Sequence, residues 1–403
     1  MRLPVRTTRI VVPGFRFAGV ACGIKPSGRL DLALIYSEAP AVAAGAFTRN
    51  RVRAAPVLLA QRHVRRGRAR AVLINSGNAN ACTGTTGART ALASCRLTAQ
   101  ALGVTPEEVI PCSTGKIGVL LPAEPMKRGI ADAIPALAPA GLWRAARAMM
   151  TTDAFPKVAS RELRLGGRTV TIAGLAKGAG MIAPDLATLL VCVVTDAAVG
   201  RAALRRFLRQ AVAGSFNAIT VDGDTSTNDS VLVLANGLAG NAPLRPESRA
   251  GARFAAALGE VMGELADMVV ADGEGATKRV RITVTGARTP AAARRVAHTI
   301  ARSQLVKTAL FGGDPNWGRI VCAAGYAGVP LAPERISVRI GGVTVLRRGE
   351  PAAAATVRRA AWVMRGPAFP IGIDLASGGK GSATVTTSDL STAYVRFNAD
   401  YST

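Results

Sequence analysis

Lys177-Gly178-Ala179-Gly180-Met181-Ile182-Ala183-Pro184-Asp185-Leu186-Ala187-Thr188-Leu189-Leu190-Val191-Cys192-Val193-Val194 passes from a glycine-rich loop, through Pro184-Asp185, into a fully apolar run. Leu189 to Val194, bounded by Asp196, has the length and branching of a strand buried on both faces. Thr188 stands at the mouth of that strand, behind the small residue Ala187. Two readings fit. In one, a glycine loop precedes an ordinary strand. In the other, the Ala187–Thr188 bond is cut and Thr188 becomes an N-terminal nucleophile. Its own α-amine, with an ordinary pKa of about 7.7–8.0, then acts as base for its hydroxyl. A Walker loop is excluded, because no Gly-Lys-Ser/Thr follows the glycines.

The scarcity of histidine bears on this choice. The 403 residues hold two. His63 lies in the basic run Gln61-Arg62-His63-Val64-Arg65-Arg66, and His298 in the helical stretch Arg294-Arg295-Val296-Ala297-His298. Both read as ordinary surface or half-buried side chains. A Ser-His-Asp, Cys-His or His-ligated metal site is therefore disfavoured, and a nucleophile here needs another base. Six cysteines without a C-x-x-C pair exclude a disulfide scaffold and a zinc ribbon. Asp222-Gly223-Asp224-Thr225-Ser226-Thr227-Asn228-Asp229 looks like a metal loop but lacks the spacing of the calcium motif and its closing Glu. No metal is expected.

Hydrophobic residues at 49% and charged residues at 19% fit a globular protein with a sizeable core. Gly (43) and Pro (22) are near average usage, so the chain is neither collagen-like nor largely disordered. No 18-residue apolar stretch suggests a membrane span, and Met1 to Arg9 lacks the features of a secretory signal. The expectation is a cytoplasmic enzyme. The net charge of +26 comes from 43 Arg and 8 Lys against 25 acids. Arg62 to Arg70 holds five Arg in nine residues, but aromatics are only 4% of the chain, so stacking platforms for single strands are scarce. Anionic small substrates suit this charge better than nucleic acid does. Lys25, Lys157, Lys177, Lys278 and Lys307 fall in glycine-rich or unusual segments, as if a compact ammonium were needed there.

Working outward, strand and helix patterns alternate. Ala71 to Ile74 reads as a short strand ending in the polar turn Asn75 to Asn80, and Arg164 to Gly174 as a hairpin around Gly166-Gly167. Val231 to Leu234, Val280 to Val284 and Ser382 to Thr387 read as strands, and Ile336 to Leu346 as a second hairpin. Thr86 to Leu102 has helical spacing with Leu92, Leu97 and Leu102 near one face. Arg201 to Ala213, Ala250 to Val270, Thr289 to Leu305 and Ala352 to Met364 also read as helices. This is an α/β chain without repeats, and no composition break demands separate domains. Two further segments look over-specified for plain structure. Thr114-Gly115 in Cys112-Ser113-Thr114-Gly115 offers backbone N–H groups for an oxyanion hole, or else marks a strand-to-helix turn. Glu274, flanked by Gly273 and Gly275, offers a carboxylate for an amine or a proton, or else a polar turn.

Taken together, these segments closely resemble the ornithine acetyltransferase (glutamate N-acetyltransferase) family of arginine biosynthesis. The resemblance runs from Gly14-Phe15-Arg16-Phe17-Ala18-Gly19 to the C-terminus. It is carried by Ala43 to Thr48, Asn75 to Gly84, Thr151-Thr152-Asp153, Lys177 to Leu190, Asp222 to Asp229, Glu274 to Lys278, Asp314-Pro315-Asn316-Trp317-Gly318-Arg319 and Asn398 to Thr403. Ala179 stands where the family usually has Ser, and Leu186 and Leu189 where it usually has Met. These departures leave Ala187 and Thr188 intact.

The resemblance implies a layered α/β/β/α sandwich of the ornithine acetyltransferase / L-aminopeptidase-D-Ala-esterase type, with N-terminal-nucleophile-like chemistry. It implies cleavage into an α chain, residues 1–187, and a β chain, residues 188–403, that form one composite catalytic unit and assemble as two α and two β chains. Thr188 matches the nucleophile, and Thr114 and Gly115 the oxyanion hole. Thr151, Lys177, Thr188, Glu274, Asn398 and Thr403 match substrate contacts, with Thr152 an adjacent candidate. The implied substrates are N-acetyl-L-ornithine and L-glutamate, with acetyl-CoA as an open second donor and no bound cofactor. A self-processing aminopeptidase or amidase, with water as acceptor, is the alternative.

Overall fold

The computed structural model describes residues 9–183 and 189–400. Ala187, Thr188 and Thr403 lie outside the described residues. The apolar run forms the strand Leu190–Thr195, all of it buried. Alternate side chains explain why no polar residue interrupts it. Val191 and Val193 face the helices Arg201–Gly214 and Arg249–Ala271, whereas Leu190, Cys192 and Val194 face the helix Leu142–Met149.

This strand lies inside an eight-stranded mixed sheet. Its order is Val109–Lys116, Arg68–Asn78, Leu32–Phe47, Ser230–Ala235, Leu190–Thr195, Arg168–Lys177 and Lys157–Leu165, with Phe15–Val20 paired on Leu32–Phe47. Leu190–Thr195 pairs parallel with Ser230–Ala235 and antiparallel with Arg168–Lys177. A seven-stranded sheet follows, in the order Glu350–Pro351, Val343–Arg347, Ser337–Ile340, Ala368–Asp374, Arg279–Ala287, Gly381–Ser388 and Ile219–Thr220. The helices Pro290–Arg302, Trp317–Gly325 and Ala354–Val363 contribute to its core. The chain is thus a layered α/β protein with two mixed sheets and helices packed on them.

Several local expectations change. The expected polar turn at Asn75 is strand as far as Asn78, since Arg68–Asn78 keeps pairing with Val109–Lys116. The expected helix Thr289 to Leu305 breaks at Ser303, whose side chain accepts the Val306 N–H and caps a second helix, Gln304–Gly312. In Gly84–Leu102 the buried stripe is made of Gly87, Ala91, Ser94, Cys95, Thr98 and Ala99, and the three leucines flank it half-buried. The 16-residue strand Leu32–Phe47 has no clean sequence pattern. Pro40 interrupts it, and its register slips between Tyr36 and Ala41. His63 is buried, with Nδ1 2.7 Å from the Val109 carbonyl, and ties the helix Ala55–Val64 to the first sheet.

Candidate active site

The strand ends and helix ends converge on one pocket of about 120 Å³. Thr114 and Gly115 come from the end of Val109–Lys116, Lys177 from the last position of Arg168–Lys177, and Thr151 and Thr152 from the loop after Leu142–Met149. Glu274 follows the helix Arg249–Ala271, and Asn398 lies on the last helix, Thr392–Asp400. All seven line the pocket, including both threonines of the Thr151/Thr152 pair. The pocket therefore joins residues far apart in sequence.

Backbone geometry explains the glycines here. Gly115 has φ +133°, and a Cβ would sit 2.2 Å from the Gly77 carbonyl carbon on the neighbouring strand. Gly180 lets the backbone pass the Glu274 carboxylate, whose Oε2 would lie 2.3 Å from an added Cβ. The Glu274 N–H donates to the Ala179 carbonyl at 2.8 Å, and Asn398 Nδ2 donates to Glu274 Oε2 at 3.1 Å.

Elsewhere in the lining, Lys177 Nζ lies 3.3 Å from Thr114 Oγ1 and 4.0 Å from Asp153 Oδ2. Burial pushes the Lys177 ammonium pKa down, opposed by Asp153. Asp153 is buried too; burial opposes its charge, but Lys157 and Lys177 outweigh that and hold its carboxyl well below the usual range. It also accepts the N–H groups of Thr151 (2.9 Å) and Gly178 (2.7 Å).

The Asp222 to Asp229 loop holds backbone on both sides of residues 184–188. Asp222 accepts the N–H groups of Met181 (2.6 Å) and Ile182 (2.8 Å), and burial pushes its carboxyl up to about 6. Asp229 Oδ1 accepts the N–H of Leu189, the residue after Thr188, at 2.9 Å. Asp229 is fully buried, its pKa is raised by burial, and its Oδ2 has no hydrogen-bond partner among the described residues. Asn228 donates to the carbonyls of Ala79 (2.7 Å) and Ser113 (2.8 Å), which pins the strand end that carries Thr114. No cluster of three or more His, Cys, Asp or Glu able to hold a metal occurs among the described residues.

Sequence reasoning missed Asp222, Asp224 and Tyr394 as pocket walls, and Asp153, Lys157 and Asp272 as a buried ion network. The lysine placements were the available signal. Lys25 Nζ donates to the Leu30 and Met150 carbonyls at 2.8 and 2.6 Å, Lys278 Nζ to those of Leu310 and Phe311, and Lys307 Nζ to that of Ser388. These three ammoniums fasten backbone beside the site, whereas Lys177 faces into it.

A small pocket lined by a buried ammonium and by a carboxylate can hold a molecule bearing both charges. With hydroxyl groups beside the ammonium, its size and polarity fit an amino-acid-sized molecule. The comparisons narrow the class. The ArgJ family profile matches residues 16–403. The arginine biosynthesis bifunctional protein ArgJ of Geobacter sulfurreducens is 51% identical over 392 residues, covering 97% of this chain and 100% of that one. Its namesake in Symbiobacterium thermophilum is 49% identical, covering 97% of each chain. The crystal structure of the protein of that name from Bacillus halodurans is 41% identical with a TM-score of 0.50, over 53% of this chain and 98% of that one. The chain belongs to the ArgJ family. It is an acyltransferase that works by acetyl transfer in arginine biosynthesis.

Proposed function

We propose that the chain cuts itself at Ala187–Thr188 and then moves the acetyl group of N-acetyl-L-ornithine to L-glutamate through acetyl-Thr188. The observation that carries this reading is the convergence of Thr114, Gly115, Thr151, Lys177, Glu274 and Asn398 on one pocket.

In maturation, Thr188 Oγ attacks the Ala187 carbonyl carbon, the peptide C–N bond breaks, and water hydrolyses the resulting ester. This frees the Ala187 carboxylate and the Thr188 α-amine. In transfer, the α-amine takes the Oγ proton as Oγ attacks the acetyl carbon. The oxyanion is held at Thr114 and Gly115. The C–N bond breaks, the departing amine takes the proton from the α-ammonium, and ornithine leaves. Glutamate's amino group then attacks the acetyl ester, and Thr188 Oγ regains a proton. Lys177 pairs with a substrate carboxylate as a point charge, while Glu274 holds the amino group. Either Thr151 or Thr152 contacts substrate, as do Asn398 and the terminal Thr403. The chain's own α-amine is the base, so the reaction needs no bound cofactor or metal. Acetyl-CoA is a second candidate donor. The expected form is two α and two β chains acting in the cytoplasm; no helix among the described residues is long and apolar enough to cross a membrane.

The test is product analysis with acetyl-labelled N-acetylornithine and unlabelled glutamate. The reading predicts labelled N-acetylglutamate and ornithine in equal amounts. Free acetate without acetylglutamate would instead identify an amidase with water as acceptor.

A further inference from the structure

Among the described residues, Lys157 is the most completely buried cation outside the pocket wall. Its side chain is 0% exposed, in a chain that uses Arg for most of its positive charge. Its Nζ donates to Asp153 Oδ1 at 2.6 Å and to Asp272 Oδ2 at 2.5 Å. Both carboxylates also hold backbone. Asp153 accepts the N–H groups of Thr151 and Gly178, the residues next to Thr152 and Lys177. Asp272 accepts the Ala154 N–H at 3.0 Å, caps the helix Arg249–Ala271, and stands two residues before Glu274. A buried ion network is weak grounds for stability, because desolvation offsets most of its Coulomb gain. Its geometry indicates another role. One ammonium joins the Thr151–Lys177 wall of the pocket to the turn that carries Glu274.

We propose that Lys157 is a positioning residue for acetyl transfer: bridging Asp153 and Asp272, it fixes the separation between Lys177 and Glu274 and so the fit of the substrate's carboxylate and amine. This rests on the proposed roles of Lys177 and Glu274. Without the bridge, Asp153 keeps a single close cation, Lys177, and draws it away from the pocket. The Asp272 turn, released from Lys157, no longer holds Glu274 in register. Lys157 touches no reacting atom, so its loss weakens substrate binding more than the chemical step.

The test compares three variants with wild type in the mature enzyme: Lys157→Met/Asp272→Asn, Asp272→Asn and Lys157→Arg. Lys157→Met alone leaves an uncompensated buried carboxylate and is prone to misfold. Lys157→Met/Asp272→Asn restores the net charge of the cluster while removing the bridge. It is expected to melt within a few degrees of wild type and to mature normally. Its KM should rise at least about tenfold for both N-acetylornithine and glutamate, with kcat within about threefold, as misplaced binding groups do. Asp272→Asn alone keeps an oxygen for both Lys157 and the Ala154 N–H, so its KM should stay within about threefold of wild type. Lys157→Arg keeps the charge but cannot set one nitrogen between both carboxylates. It should raise KM in the same direction, and it decides the question if the double variant does not accumulate. Wild-type KM in the double variant, or in Lys157→Arg should that variant carry the test, overturns the proposal, as does the full KM loss in Asp272→Asn. A wild-type enzyme that forms no acetylglutamate refutes the proposed function instead, so the two failures are distinct.

Discussion

At the scale of single residues, the pocket depends on close approaches that only small groups permit. Gly180 is the sharpest case. The three atoms nearest an added Cβ all belong to the free end of the Glu274 side chain, at 2.3–2.6 Å. Gly180→Ala is therefore expected to fold, because Glu274 can rotate away, but to lose the carboxylate from its place. The predicted result is a melting temperature within a few degrees of wild type with kcat/KM reduced at least about tenfold. Wild-type kinetics would show that Glu274 has no defined position in the reaction. Lys177, Glu274 and the Thr114-Gly115 pair were legible as candidates because each is an unusual residue in a glycine-rich setting. The partners of Lys177 were not. Asp153 is 24 residues away in sequence and Thr114 is 63, and only the antiparallel pairing of Lys157–Leu165 with Arg168–Lys177 brings Lys157 and Lys177 to the same end of the sheet. Local pattern does not encode that juxtaposition.

At the scale of elements, a buried lysine ties the helix Gln304–Gly312 to the second sheet. Lys307, on the helix Gln304–Gly312, is buried and donates to the Ser388 carbonyl and lies 3.3 Å from Thr387 Oγ1. Burial pushes its ammonium down to about 8 from an ordinary 10.5, with Asp389 and Asp222 opposing. The sign follows from linkage. Below pH 8 the lysine is charged in both folded and unfolded chains, and the burial penalty is fully present. As the pH rises from about 8 to 10.5 the folded chain gives up the proton first, and the penalty shrinks, by about 3 kcal/mol in total. The stability of wild type relative to Lys307→Met should therefore rise with pH across that window and stay level below it. Denaturant melts at several pH values check this; a difference that stays flat or falls from pH 8 to 10.5 would contradict it. Strands buried on both faces, such as Leu190–Thr195 and Ser230–Ala235, were legible because all but one terminal residue of each is apolar. Leu32–Phe47 and the break at Ser303 were not. The first depends on a bulge at a proline, and the second on one side-chain cap inside an otherwise helical pattern.

At the scale of the whole molecule, the first sheet makes the two halves of the sequence interdependent. Leu190–Thr195 sits between Arg168–Lys177 from before the expected cleavage point and Ser230–Ala235 from after it. Cleavage at 187–188 would leave both products joined by this sheet. Glu274 from the later half closes a pocket that Thr114 and Lys177 from the earlier half open. Four of the five arginines from Arg62 to Arg70 are exposed, and Arg70 is held against Tyr36 and the Ser37 carbonyl, so this part of the charge lies on the surface and outside the pocket. The clamps on either side of residues 184–188, Asp222 on Met181 and Ile182 and Asp229 on Leu189, suit a bond that is cut in place while the sheet holds both ends. The most direct test is the intact mass, under denaturing conditions, of wild type beside Thr188→Ala, with acetyl transfer assayed on the same preparations. The account predicts two wild-type fragments, residues 1–187 and 188–403, and one uncut, inactive chain for Thr188→Ala. A wild-type chain that stays whole and still transfers acetyl at full rate would contradict it, because its Thr188 would have no free α-amine to act as the base.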